Sequence, residues 1–188
     1  MAAAQAGDRA ALERLLRRHY DRLHALCRRM CGNQADADDA TQEALMAIVR
    51  GLGRFDGRSA FTTWSYRVAT NACLDELRRR ARRPLPEADA DDGDGAGDDR
   101  LRHGLTVGDT TEPVADQIDV DAALRRLPVE LRAAVVLRDL CGLDYSGIAE
   151  ALDIPGGTVR SRIARGRARL ADLLAEGNRQ PQPGRRTP

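Results

Sequence analysis

Apolar residues return every third or fourth position over most of the chain, the period of helices that bury one face. Leu12, Leu15, Leu16, Leu23, Leu26, Cys27 and Met30 form one such stripe. Asp8 suits the N-cap of a helix running to about Met30, and Gly32 ends it. A second helix is predicted from about Ala35 to Leu52, with Ala40, Ala44, Ala47 and Ile48 inward. After a glycine-marked break from Gly53 to Gly57, Ser59 is expected to cap a third helix reaching Arg83. The pattern resumes at Asp121, where Ala123, Leu124 and Leu127 lead to Pro128, a favoured first-turn residue, and a helix through about Leu140. Gly142 stops it. Asp144 then caps a short helix, Tyr145 to Leu152, with Ile148, Ala149 and Leu152 inward. Residues 153–157 make a tight connection, and Thr158 opens a longer helix with Val159, Ile163, Gly166, Leu170 and Leu173 on its buried side. The expected fold is all-α.

Charge divides these helices into two groups. Residues 1–83 carry 16 Arg against 10 acids, net +6, and residues 122–188 carry 12 Arg against 7, net +5. Between them, residues 84–121 carry 2 Arg against 12 acids, net −10, so the whole-chain charge of +1 conceals two basic modules around an acidic segment. Pro84 and Pro86 break the preceding helix, and residues 87–99 mix Asp, Gly and Ala without a bulky apolar side chain. Such a stretch cannot bury enough surface to offset its ordering entropy. The expected organisation is a helical domain at 1–83, a flexible acidic linker at 84–118, a second helical domain at 119–176 and a disordered tail at 177–188.

Composition narrows the chemistry. Every one of the 30 basic residues is Arg, whose planar donor fork suits phosphate and guanine. Four of the six aromatics (Phe55, Phe61, Trp64, Tyr66) fall within twelve residues, upstream of the run Arg78-Arg79-Arg80-Ala81-Arg82-Arg83. Rings beside dense Arg suit single-stranded or melted nucleic acid, although Phe61, Trp64 and Val68 also have core-face spacing. In the C-terminal module, a short helix, a turn and an Arg-studded second helix make a helix-turn-helix whose second helix enters the major groove. Arg160, Ser161 and Arg165 are its candidates for base reading, and the amides of Gly157 and Thr158 for phosphate binding. Asp36, Asp38, Asp39 and Glu43 cluster at the start of the second helix, where capping explains some of them and an acidic contact surface the group.

Other classes recede. No uncharged apolar run exceeds a handful of residues, Ala133 to Leu137 being typical, so no membrane insertion is expected. The N-terminus lacks a secretion pattern, and a cytoplasmic location is expected. His24, Cys27 and Cys31 could share one helical face, but no second ligand pair follows, so no metal is assigned. No phosphate loop or nucleophile motif is present, and His19, His24 and His103 look incidental. No enzyme activity, catalytic residue or cofactor is expected.

Taken together, the motifs resemble those of the extracytoplasmic-function (ECF) sigma factors, the small two-domain branch of the sigma-70 family, most like the actinobacterial sigma-M type. Asp36-Ala-Asp-Asp-Ala-Thr-Gln-Glu43 resembles the acidic core-binding helix. Phe61-Thr-Thr-Trp-Ser-Tyr-Arg-Val-Ala-Thr-Asn71, with Asp75 and the Arg run, resembles the promoter-melting and −10-reading region. Leu127 to Arg132, Tyr145 to Leu152 and Gly157 to Ile163 resemble the −35-reading domain. The resemblance implies a three-helix sigma region 2 and a helix-turn-helix sigma region 4, and a protein that binds the clamp and flap of core RNA polymerase and directs it to promoters. Asp36, Asp38, Asp39, Gln42 and Glu43 would contact the clamp. Phe55, Arg58, Ser59, Phe61, Trp64, Arg67, Asn71, Arg78 and Arg79 would bind and melt −10 DNA. Asn71 would line a pocket for a flipped base, and the Phe55–Ala60 loop would close over it. Gly157, Thr158, Arg160, Ser161, Ala164, Arg165 and Arg167 would engage the −35 element. The acidic linker would pass toward the RNA exit channel, where it could mimic RNA charge. An anti-sigma factor is an expected partner.

Departures from the family pattern are local. Gly147 replaces a usual Glu, leaving the capping box from Asp144 incomplete. Asp153 replaces a common turn Gly, which implies a left-handed or adjusted turn. Ala164 replaces a bulkier residue in some members, and Thr41 a common aliphatic. The competing reading is a stand-alone helix-turn-helix regulator. It would need a dimerisation surface, which nothing after Leu174 offers, and it leaves the aromatic–Arg block unexplained.

Overall fold

The computed structural model describes residues 1–82 and 114–179. They form α1 (Ala2–Gln5), α2 (Arg9–Cys31), α3 (Gln34–Gly51), a 3-10 turn (Leu52–Arg54), α4 (Phe61–Arg82), α5 (Val114–Arg125), α6 (Val129–Val135) with a π-helical extension (Val136–Leu140), α7 (Tyr145–Leu152) and α8 (Gly156–Arg179). All regular structure among the described residues is helical, as expected. Arg83, residues 84–113 of the expected linker with His103, and the tail beyond residue 179 lie outside the described residues.

Caps set most boundaries. Asp8 accepts a hydrogen bond from the Ala11 amide at the start of α2, and Gly32 ends that helix in the left-handed region at φ 81°. Asn33 caps α3 by accepting from the Asp36 amide at 2.9 Å. The third helix departs from expectation: it opens at Phe61, with the Ala60 carbonyl accepting from Trp64, so Ser59 lies upstream and makes no cap. Helix α5 begins at Val114, inside the segment read as linker, and α8 begins at Gly156, before Thr158. The helix after Pro128 widens into π turns from Val136, a change that an unbroken apolar run hides from sequence.

Helices α2, α3 and α4 pack as one three-helix unit. Leu23, Leu26, Cys27 and Met30 of α2 meet Ile48 of α3 and Tyr66, Ala69 and Cys73 of α4, all buried. Ala37, Ala40 and Ala44 keep the α3 face small, which lets its neighbours approach closely. The second unit gathers Leu127, Val136, Leu137, Ile148, Val159, Ile163 and Leu173 around α6 and α8.

The two units also touch, which modifies the expectation of domains that fold apart. Arg132 of α6 is 8% exposed and donates across the seam to the Met30 carbonyl at 2.5 Å. It also donates to the carbonyls of Arg125 at 2.8 Å and Leu127 at 3.1 Å. Asp121 of α5 pairs with Arg29 at 2.5 Å and Arg28 at 3.2 Å. The Arg125 stem lies where a side chain on Gly32 would stand, 2.6 Å from the position of its Cβ. Contacts between the units thus come from Arg stems and carbonyls, from the α4–α7 face and from α2 against α5 and the π-helical extension, and the buried apolar side chains of both units form one cluster.

Candidate nucleic-acid interface

The helix-turn-helix is built as its sequence implies. Asp144 accepts from the Gly147 amide at 2.7 Å, and that bond, with one from Ser146, holds the Asp144 carboxyl below the usual range. A single-sided cap thus replaces the full box. Asp153 ends α7 at φ 52° and ψ 51°, the left-handed turn expected from its place. Val159, Ile163 and Gly166 seat α8 on the core, which turns Gly157, Arg160, Ser161, Ala164 and Arg165 outward on one exposed face, while Thr158 is half-buried.

These arginines differ in freedom. Arg165 makes only a 3.3 Å bond to the Ser161 carbonyl. Arg167 lies at the edge of the face and is paired with Asp139, its Nε 3.1 Å from a carboxylate oxygen. Arg160 and Arg138 both stack over Tyr145, at 5.8 Å and 5.2 Å from the ring centre. Tyr145 was missed as a site residue. Its signal was available: it is the one aromatic of the C-terminal module and directly follows the cap.

On α4, Arg67, Asn71 and Arg78 recur at helical spacing and are exposed along one stripe. Arg78 pairs with Asp75 at 2.9 Å, and Arg79 with the buried Glu76 at 3.2 Å. At the N-terminal end of this helix the rings form a half-buried cluster. Phe55 lies 5.1 Å from Trp64 and 6.0 Å from Phe61, and His19 stands edge-on to Phe61 at 4.9 Å. The rings thus pack on one another as their core-face spacing implies, and each stays half-exposed. Arg58 is exposed beside them and Ser59 half-buried. Gly51 lets Trp64 approach: a Cβ there would meet the indole at 3.0 Å.

The acidic start of α3 divides in two. Asp36 is buried at the start of the helix, where capping was one reading of it: it bonds Asn33 at 2.7 Å and pairs with Arg80 at 3.0 Å. Asp38 lies 3.0 Å from His24, whose ring stacks on Tyr20 and so does not turn inward with Cys27 and Cys31. Those two thiols face Cys73 in the core, and their hydrogen bonds with burial raise the Cys73 thiol well above its ordinary range. Asp39 and Gln42 are exposed, and Glu43 half-buried. Met46 and Val49 continue the same exposed line at 38% and 44% exposure, beside a groove lined by Leu12, Leu16, Tyr20 and Leu45. Sequence reading missed this apolar half, although the i, i+3, i+7 spacing from Asp39 through Gln42 and Met46 carried it.

The second helical unit partly faces α4. Leu74, Leu77 and Arg78 look across a cleft at Val129, Leu152 and Arg162.

Two family models match the chain: Sigma-70 region 2 over residues 15–83 and Sigma-70, region 4 over residues 117–170. ECF RNA polymerase sigma factor SigM of Mycobacterium tuberculosis is 43% identical over 174 residues, covering 93% of this chain and 82% of that protein. The chain belongs to the ECF sigma factors of the sigma-70 family. The ECF RNA polymerase sigma-E factor of Escherichia coli K12 is 36% identical, covering 87% of this chain and 86% of its own. Among solved structures, CnrH in complex with the cytosolic domain of CnrY aligns with a TM-score of 0.67 at 25% identity, over 93% of this chain and 94% of that one. As an ECF sigma factor the protein directs promoter-specific initiation by RNA polymerase and is not an enzyme. Its region 2 is the α2–α4 unit and its region 4 the α5–α8 unit. No helix among the described residues is long and apolar enough to cross a membrane.

Proposed function

We propose that this ECF sigma factor divides its work among three surfaces. Asp39, Gln42 and Glu43, with Met46 and Val49, dock region 2 on the polymerase clamp; Asp36 supports that surface from beneath and Asp38 borders it. The Phe55–Ala60 loop, the ring cluster, Arg67, Asn71, Arg78 and Arg79 bind and open the −10 element. Gly157, Thr158, Arg160, Ser161, Ala164 and Arg165 read the −35 element, with Arg167 at its margin on the backbone. The observation that carries this reading is the pairing, in one chain, of an Arg-rich α8 face on a capped helix-turn-helix with a separate Arg–Asn stripe beside stacked rings on α4. Duplex reading needs the first and strand opening the second.

Polymerase is cytoplasmic, and so is the expected site of action. The free protein is held by an anti-sigma factor that covers one or both regions; the sigma factor RpoE of Bartonella quintana, which shares this fold at TM-score 0.67, was solved with the anti-sigma factor NepR. The test is run-off transcription with purified core polymerase on fragments of the source genome. Discrete start sites that appear only on adding the protein support the reading and define both promoter elements. Specific duplex binding by the protein alone, with no gain in initiation, would replace it with a stand-alone regulator.

A further inference from the structure

The loop between α3 and α4 is short of internal support. Gly53 and Gly57 have no neighbouring atoms within 4 Å of a Cβ position, and Gly57 lies at φ 73°. Its local bonds are those of Phe55 to the Leu52 carbonyl and of the Arg58 amide to Asp56. Among the described residues, one side chain ties this loop to a distant part of the chain. Gln5 of α1 donates through Nε2 to the Phe55 carbonyl at 2.8 Å and to the Leu52 carbonyl at 3.1 Å. Both hydrogens of one amide are thus directed at the two ends of the 3-10 turn.

Helix α1 is itself anchored. Ala4 is buried, and the turn through Gly7, at φ 93°, returns the chain into the Asp8 cap of α2. Gln5 therefore links a fixed support to the carbonyl of Phe55, the residue whose ring completes the cluster with Phe61 and Trp64. This turn lies outside the span matched by the region 2 family model, which begins at residue 15.

We propose that Gln5 is a positioning residue for promoter opening: it holds the Phe55–Ala60 loop in register with the Asn71 stripe, so that the loop closes on a base taken out of the stack. Base capture exchanges stacking in the duplex for stacking in the protein, a difference small enough that a loose loop would erode it. The role needs a donor here. A carboxylate would set lone pairs against two carbonyls, whereas an ammonium keeps donors for both.

The proposal rests on the promoter-opening reading above, and the experiment separates the two. Holoenzyme is assembled from core polymerase with wild type, Gln5→Glu, Gln5→Ala or Gln5→Lys. Each is titrated with single-stranded −10 oligonucleotides from the promoter found by run-off, carrying the cognate base or an abasic site at each position in turn. In wild type, affinity falls at the captured position. Gln5→Glu and Gln5→Ala should shrink that cognate-to-abasic ratio by about three- to tenfold, part of what the two lost hydrogen bonds are worth because they act on the base only through the loop, with core-polymerase affinity unchanged; Gln5→Lys should restore it. A merely structural role would lower active holoenzyme on every oligonucleotide alike and leave the ratio intact, which overturns the proposal. Wild type without any base-dependent ratio overturns the opening reading as well.

Discussion

At Gly166, a Cβ would stand 2.6 Å from Cγ2 of Val135 and 3.2 Å from the Leu131 carbonyl oxygen. Alanine in a helix interior gains up to about 1 kcal/mol over glycine, while overpacking a core contact costs about 1–3 kcal/mol. The clash wins because the nearer atom is a methyl of Val135, buried and stiff at χ1, and the farther one is backbone, so neither yields easily. Gly166→Ala should therefore lower the urea midpoint of unfolding. Gly157, with nothing within 4 Å, has no such constraint. Gly157→Ala should raise stability by up to about 1 kcal/mol, yet weaken −35 binding if the proposed approach of its amide to a phosphate holds. His19 supplies a second test at this scale. Burial, then Arg18 and Arg22, lower its pKa beneath the ordinary 6.5. The unfolded chain then binds the proton more readily than the folded one, so stability is intact above pH 6.5 and declines as pH falls from there through the folded value. Urea unfolding at pH 7.5 and 5.5 should show that decline, and His19→Gln should reduce it.

At the scale of the element, the reading role proposed for α8 rests on arginines that their partners leave uncommitted. Arg167 is committed to Asp139, whereas Arg165 spends one long bond on its own helix. Arg165→Ala should weaken promoter binding by about 1–3 kcal/mol and relax preference at one −35 position. Arg167→Ala should weaken binding evenly across sequences. Gel-shift titration of holoenzyme against single-base −35 variants distinguishes the two, and an even loss for Arg165→Ala would remove its reading role. The elements themselves were largely legible, for a local reason. Asp8, Gly32, Asp144 and Asp153 act within four residues of the boundary they set, so sequence alone places α2 and α7 to within a residue. Helix α1 was not legible because four residues show no period. The π turns were hidden because Ala133 to Leu137 is apolar at every position. The burial of Asp36 was hidden for the opposite reason: its local surroundings show only a capping acid, and the Arg80 that pairs with it lies 44 residues away.

At the scale of the whole molecule, the seam between regions 2 and 4 sets a geometric conflict. The −10 and −35 elements lie roughly 25 base pairs apart, or about 85 Å along B-form DNA at 3.4 Å per step. A compact body of about 150 residues has a radius of gyration near 15 Å, so α4 and α8 cannot reach both elements while the seam is closed. Nothing in the sequence announced that seam. Arg132 carries no local signal of burial, and its acceptor is a Met30 carbonyl 102 residues away. The polar part of the seam is the natural place to open it. Asp121 is 20% exposed at its side chain and answers two arginines, so Asp121→Asn removes charge pairing without disturbing the carbonyl bonds of Arg132. Fluorophores placed on the outer faces of α2 and α8 should report one short distance in the free wild-type protein. Asp121→Asn, or added salt, should broaden that distribution toward longer distances, since partly exposed pairs are screened. Binding core polymerase should move the pair apart by tens of ångströms in wild type and variant alike, and the variant should saturate at lower polymerase concentration because less of its binding energy goes into separation. A short distance that persists in the transcribing holoenzyme would mean that the closed arrangement is itself the working one.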